Sequence, residues 1–421
     1  MIHRLCVNNF YSVRDPLDID LTISGHVPEN SERFAETYRG SDIRAPKVVG
    51  LWGPNAAGKS NILRAISFVS WFNTQSFQLT PEQPLPCHFF NTDECRRLPM
   101  QIGVEFSGPA DLSNPDDASL QCRYAYQVTF GHNGKETRAT PASSVVSDSQ
   151  PTKVLKETLC YWPPQASRRM KIFERSQNGL ESASRAFGLR GFEKPLKNIL
   201  RPNVALIATL VQLGHKPSIA LRGLASQVTT NILLERHEFN DAIIAQHYAQ
   251  NAEQLAALNK EIQRLDLGIV EVTMEKDPVT QQVHRISFIH NGLATPLPAA
   301  SESHGTRQFM RIFPFLFIAL QTGGIAVIDE LDTSIHPLIL PEILRWFYDP
   351  TRNPRNAQIW FTCQNISLLR ELTKEEILLC EKDNLGGTSV FGLSSIKSVR
   401  RIDNYMTKYL GGTYGAVPHI G

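Results

Sequence analysis

The chain has 421 residues, 42% hydrophobic and 20% charged, a balance that allows a sizeable buried core and excludes a disordered chain. Net charge is only +2, and no apolar run approaches the roughly 20 residues that a bilayer span needs. The opening MIHRLCVNNFYSVRD lacks the apolar core of a secretion signal, and seven scattered cysteines without a CxxC pair argue against a disulfide framework or zinc site. A cytoplasmic location without membrane association is the expectation.

LCVNNF and PLDIDLTI alternate apolar and polar residues as short strands do, around a turn at Asp15-Pro16. VVGLW, residues 48–52, is an apolar strand that runs into a glycine-bounded loop, and SNILRAISFVSWF then has apolar residues at helical spacing. QIGVEF and YAYQVTF read as hairpin strands separated by the acidic GPADLSNPDDAS. Residues 151–222 carry thirteen Lys or Arg against four acids, a candidate polyanion surface. From about 226 to 266 the chain has no Pro or Gly and reads as helical throughout. IVEVTM and HRISFIH return to strand character. The polar ESHGTRQFMR leads into a helix FMRIFPFLFIALQ, followed by a strand IAVIDE, a helix PLILPEILRWFY, a strand AQIWFTC, and strands near 377 and 388.

Strands alternating with helices at both ends imply an α/β core split by an inserted β and helical lobe. The expected division is 1–80 and 267–421 for the two parts of the core, 81–160 for a β-rich arm, and 161–266 for a basic and helical insertion.

GPNAAGKS fits G-x-x-x-x-G-K-S between a strand and a helix. Backbone N–H groups of such a loop, with the positive end of the following helix, hold phosphate oxygens. This assigns Gly53, Pro54, Asn55, Ala56, Ala57, Gly58, Lys59 and Ser60, with the adjoining Asn61, to nucleotide binding. Lys59 is expected to reach the β and γ phosphates of ATP, and Ser60 to ligate Mg²⁺. IAVIDE ends in two acids, Asp329 for the Mg²⁺ shell and Glu330 to polarise the attacking water.

The order phosphate loop, long insertion, S-x-G-x-x-Q string, helix and acidic strand resembles the ABC-type ATPases. In more detail the chain resembles the RecF/SMC-related branch, most of all the AbiLi/RloA-type ATPases of phage-defence operons. The resemblance rests on NNFYSVRD, GPNAAGKSN, ESHGTRQF, IDELDTSIHPLIL, FTCQNISLL and MTKYLGGTYGAVPHIG. It implies an ABC-ATPase head of the P-loop NTPase class, with a mixed sheet and flanking helices. By this likeness Ser303, Gly305 and Gln308 bind the γ-phosphate held by a second copy, in a head-to-tail dimer or higher homo-oligomer. Asp332 and Ser334 then belong to the loop that contacts the other subunit.

Two departures follow from the comparison. Related chains have His where this one has Gln364, and Gln cannot carry a proton, so slow hydrolysis is expected. The glutamine loop cannot be chosen among Gln75, Gln78, Gln83 and Gln101. The resemblance further implies an anti-phage switch controlling a separate effector, a nuclease. The alternatives are a DNA-repair or chromosome-maintenance ATPase that uses the 151–222 region on duplex DNA, and a nucleotide-bound scaffold without useful turnover.

Overall fold

The computed structural model describes residues 1–23, 31–114, 120–132, 152–163, 168–232, 234, 241–265, 268–277, 280 and 283–418. Two sheets organise them. A seven-stranded antiparallel sheet runs in the order Gly179–Ala183, Met170–Ser176, Lys153–Trp162, Gln121–Gly131, Met100–Pro109, Ile2–Asn8, Leu17–Asp20. A six-stranded sheet runs in the order Val228–Thr230, Ile325–Ile328, Gln358–Thr362, Val48–Trp52, Ile377–Lys382, Thr388–Gly392; its first five strands are parallel and the last is antiparallel. A smaller sheet joins Ile269–Lys276, Val283–His290 and Leu297–Pro298. The fold is α/β, with mixed sheets and flanking helices.

The helix Lys59–Gln75 is packed between the two large sheets. Ile62, Leu63, Ile66, Phe68 and Phe72 are buried there with Val104 and Phe130 on one side and Val327 and Trp360 on the other. The opposite face of the six-stranded sheet buries Trp52, Ala326, Ile328 and Phe361 against helices His304–Thr322 and Ile339–Tyr348. A parallel sheet covered on both faces needs apolar residues at consecutive positions, which is why VVGLW, IAVI and QIWFT are apolar runs rather than alternating ones.

One amide joins the two sheets. The fully buried Gln358 side chain accepts from the Ile2 N–H (2.9 Å) and from the Trp360 indole N–H (3.0 Å). Its amide nitrogen donates to the carbonyls of Ile2 (3.1 Å) and Pro46 (2.8 Å).

Three local expectations are corrected. Val228–Thr230, expected to be helical, is an edge strand in parallel register with Ile325–Val327. Its β-branched Val-Thr-Thr suits a pleated edge, and sheet pairing overrides the surrounding helical pattern. The remainder of that expectation divides into helices Asp241–Gln250 and Ala252–Leu265, with 235–240 outside the described residues. The helix expected from Phe309 begins at His304, so part of the polar string is its first turn. This helix contains Pro314, which cannot donate to Met310, and the Tyr248 hydroxyl supplies that carbonyl with a donor at 2.8 Å. In the C-terminal motif, 419–421 lie outside the described residues. No helix of the described residues is long and apolar enough to cross a membrane.

Candidate functional site

The parallel strands Val48–Trp52, Gln358–Thr362 and Ile325–Ile328 end at one edge of the sheet, where open α/β sheets place their ligands. The strand 358–362 lies between the other two, so Thr362 and Gln364 fall between the phosphate loop and the two acids. One cleft is lined by Asn55 to Asn61, Arg64, Glu330, Asp332, Thr362, Gln364, Ser12 and Lys382.

Glycine is required twice in the loop. Gly53 has φ +149°, and a Cβ there would lie 2.2 Å from the Cys380 carbonyl oxygen. Gly58, the residue before the helix, has φ +95°, and a Cβ would lie 2.1 Å from the Thr388 hydroxyl. The loop is also held from below. The Thr388 hydroxyl donates to the Ala57 carbonyl (2.9 Å) and accepts from the Ser12 hydroxyl (2.7 Å), which in turn accepts from the Asn61 amide (2.7 Å). The Lys59 ammonium donates to the carbonyls of Gly53 (2.8 Å) and Pro54 (3.0 Å). Burial lowers the pKa of Lys59 from the usual lysine value, while Asp329, Asp332 and Glu330 pull in the opposite direction.

Ser60 and Asp329, expected to share a metal, are in direct contact. The Ser60 hydroxyl donates to Asp329 Oδ1 at 3.0 Å, and the Thr362 hydroxyl donates to the same oxygen at 2.6 Å. Asn231, at the end of the edge strand, grips the Asp329 backbone from behind: it accepts the amide N–H (2.8 Å) and donates to the carbonyl (3.0 Å). A carboxylate and a hydroxyl are the hard oxygen donors that Mg²⁺ takes, so the residues fit that ion. The glycine-relieved loop beside them fits phosphate.

Glu330 is exposed and sits at φ +52°, a left-handed conformation that is strained for glutamate. Its N–H donates to Thr362 Oγ1 (2.7 Å) and its carboxylate accepts from the Thr333 hydroxyl (3.2 Å). Asp332 accepts the backbone N–H groups of Gln364 (3.0 Å) and Asn365 (2.7 Å), so the loop after the acids holds the turn that carries Gln364.

Ser303, Gly305 and Gln308 do not line this cleft. Ser303 caps the helix, its hydroxyl accepting the Thr306 N–H at 3.1 Å, and it is exposed with His304. A Cβ on Gly305 would lie 2.6 Å from the Ser334 carbonyl oxygen, so the helix start rests directly on the loop that follows the acids. None of Gln75, Gln78, Gln83 or Gln101 lines the cleft either. Trp52 and Phe10, aromatic residues near the loop, are core side chains.

Several contributors were missed in the sequence. Asn231 lay in a stretch read as helix, Thr362 in a strand read only for its apolar residues, and Ser12 and Thr388 are brought to the loop from both ends of the chain. The basic 151–222 stretch is partly spent on internal contacts. Arg175 is buried against Glu157 (3.3 Å), Arg201 donates to the carbonyls of Phe77 and Leu79, and Lys156 and Lys171 both meet Glu174.

Residues 216–370 match the family described as "AAA domain, putative AbiEii toxin, Type IV TA system". That segment holds Ser303, Asp329, Glu330 and Gln364; the phosphate loop lies outside it. No curated protein matches the chain. Similar solved structures include the SMC head domain from Thermotoga maritima, at 12% identity and TM-score 0.36, covering 93% of this chain and 98% of that one. An SmcHead bound to the C-winged helix domain of ScpA has 12% identity and TM-score 0.41, with 94% and 98% covered. An Smc head domain with an extended coiled coil, bound to the C-terminal domain of ScpA derived from Pyrococcus furiosus, has 12% identity and TM-score 0.38, with 93% and 96% covered. Over residues 216–370 the chain is thus similar to that family, and the strand–loop–helix from Val48 to Gln75 has the geometry of a phosphate-binding loop.

Proposed function

We propose that the protein is an ATP-hydrolysing switch of the RecF/SMC-related, ABC-like kind, whose two copies close on each other around bound nucleotide. The observation that carries this reading is the cluster on Asp329: one carboxylate oxygen accepts both the Ser60 and Thr362 hydroxyls, beside Lys59 and Glu330. In this reading the loop N–H groups and Lys59 hold the triphosphate, and Ser60 and Asp329 hold Mg²⁺, which neutralises phosphate charge when bound. Glu330 takes the proton of the attacking water, and Gln364 orients that water by a neutral hydrogen bond, which makes turnover slow.

The second copy enters because Ser303, Gly305 and Gln308 stand outside the cleft of their own chain, at the exposed start of a helix. That helix end suits a phosphate presented by another copy. The experiment mixes a Lys59→Ala copy with a Ser303→Arg copy. Each alone is inactive, and a mixed dimer has one intact composite site, so hydrolysis returns on mixing. Failure to recover it, with both copies folded, would sink the composite site.

For its biological setting, the words attached to the matched family, which name a toxin–antitoxin system, support a defence role, and the motif resemblance alone adds a separate nuclease effector. Pull-down from phage-challenged cells tests this. Absence of any co-purifying nuclease, with the ATPase intact, rejects that setting and leaves the ATP switch standing.

A further inference from the structure

The helix His304–Thr322 is anchored along its body and set separately at its tip. Its body is buried through Phe309, Met310, Phe313 and Leu316, in a core shared with helices Asp241–Gln250 and Ala252–Leu265. Two side chains of those helices also bond it directly. The Tyr248 hydroxyl donates to the Met310 carbonyl (2.8 Å), and the buried Gln254 amide donates to the Pro314 carbonyl (3.3 Å). Both holds lie well inside the helix, away from its start.

The start is held by a different device. Residues 291–303 run back from the end of strand Val283–His290, and only Leu297 and Pro298 pair with that strand on the way. Pro298 has no N–H to give to the pairing. Glu302 closes the segment. One of its carboxylate oxygens lies 2.8 Å from His290 Nε2, and the other accepts the Ser303 N–H at 2.7 Å. A carboxylate only accepts, so Nε2 is a protonated ring nitrogen and donates. The Glu302 side chain is only 8% exposed, so its charge is turned inward at a helix start that would otherwise show it to a phosphate.

This bridge sets which donors the helix start has left. A helix cannot bond the N–H groups of its own first turn. Here the Ser303 N–H goes to Glu302, and the Thr306 N–H goes to the Ser303 hydroxyl at 3.1 Å. The N–H groups of His304 and Gly305 have no acceptor among the described residues, at a start where Ser303 and His304 are exposed. Ser303 is thus pinned at both its N–H and its hydroxyl, and a turn of its backbone would re-aim the two free N–H groups that follow it.

We propose that His290 and Glu302 are positioning residues for the composite site: their bridge fixes the Ser303 cap and so aims the His304 and Gly305 N–H groups at the phosphate presented by a second copy. Neither residue lines the nucleotide cleft of its own chain. The role assigned to the bridge rests on the functional reading above.

The experiment compares full-chain variants by light scattering for self-association in Mg-ATP. His290→Leu keeps bulk and removes the donor, whereas His290→Gln keeps a donor at similar reach. His290→Leu is expected to raise the protein concentration needed for half-association by about tenfold or more, with ATP affinity of its own cleft within about twofold, and His290→Gln to restore association. Without nucleotide, hydrogen exchange at the Ser303 amide is expected to be about tenfold faster in His290→Leu and near the unaltered rate in His290→Gln. Glu302→Ala removes both bonds and should match His290→Leu in both measurements; it replaces that variant if the latter does not fold. A merely structural contact predicts that association and nucleotide affinity fall together, or that neither falls. Either result, unchanged Ser303 exchange, or no rescue by glutamine would overturn the proposal. Ser303→Arg in the same assay separates the two readings. Normal association of Ser303→Arg would sink the composite site and the bridge's role with it, whereas its loss beside normal association of His290→Leu would sink the bridge alone.

Discussion

The Thr362 hydroxyl donates to Asp329 Oδ1 at 2.6 Å and in turn accepts the N–H of Glu330 at 2.7 Å. One side chain thus sets the position of Asp329, proposed to hold Mg²⁺, and, through the backbone, of Glu330, proposed to activate the attacking water. Thr362→Val keeps the shape and removes both bonds. Hydrolysis is expected to fall by about ten- to a hundredfold with little loss of ATP affinity. Steady-state turnover alongside equilibrium nucleotide binding checks this; parallel loss of both would assign Thr362 to ATP binding instead.

Gly305 and Ser334 give a different test. A methyl group at 305 would meet the Ser334 carbonyl oxygen at 2.6 Å, which is backbone and cannot swing aside. Gly305→Ala is expected to leave nucleotide affinity of the chain's own cleft within about twofold while displacing the exposed helix start. ATP-dependent self-association, followed by light scattering, should then be lost. Intact association in this variant would remove Ser303–Gln308 from the interface.

Gln364 is exposed at the mouth of the cleft, and its backbone is held by Asp332. Gln364→His restores a group that carries a proton, and turnover is expected to rise by about tenfold or more. Asp332→Ala frees the turn and is expected to remove that gain when combined with Gln364→His. An unchanged rate for Gln364→His would assign residue 364 to capping rather than to water positioning.

His215 links stability to pH. It is buried, with Nδ1 at 2.8 Å from the Ser218 hydroxyl and Nε2 at 2.8 Å from the Phe187 carbonyl. Burial lowers its folded pKa below the ordinary 6.5, only partly offset by the backbone carbonyls of Phe187 and Gly188. The unfolded chain therefore binds more protons between the two values. The full contribution is present above pH 6.5 and is lost as pH falls from there toward the folded value. Urea unfolding at several pH values should show this decline, and His215→Gln should flatten it by up to one proton. An unchanged slope in the variant would place the acid sensitivity elsewhere, with His3, also lowered by burial, as the next group to replace.

How much was readable in the sequence depended on whether a residue acts through its neighbours in the chain. The strand–loop–helix from Val48 through Lys59, the acidic strand at Ile325 and the Ser303 helix start are contiguous patterns, and their periodicity and glycine placement survive in the fold. The partners of those residues were not readable. Ser12 and Thr388 meet beneath the loop from positions hundreds of residues apart, one bound by Asn61 and the other binding Ala57, and Asn231 reaches Asp329 only because Val228–Thr230 pairs with Ile325–Val327. The β-branched run was too short to outweigh the helical pattern around it. The inserted position of strand 358–362, which places Thr362 between the loop and the acids, is a matter of sheet order, and residue spacing along a chain carries little information about that.

Gln358 makes the two sheets mechanically inseparable at one point. Its side chain uses both its oxygen and its nitrogen on partners from three segments, all shielded from water. Sliding the antiparallel arm along the core would break both hydrogen bonds to Ile2 at once and leave its buried N–H and carbonyl without these partners, at a cost of about 1–3 kcal/mol each. Any tilt of the arm relative to the core about this amide would be smallest beside Ile2 and largest at the hairpin Met170–Ala183, which forms the far edge of the seven-stranded sheet.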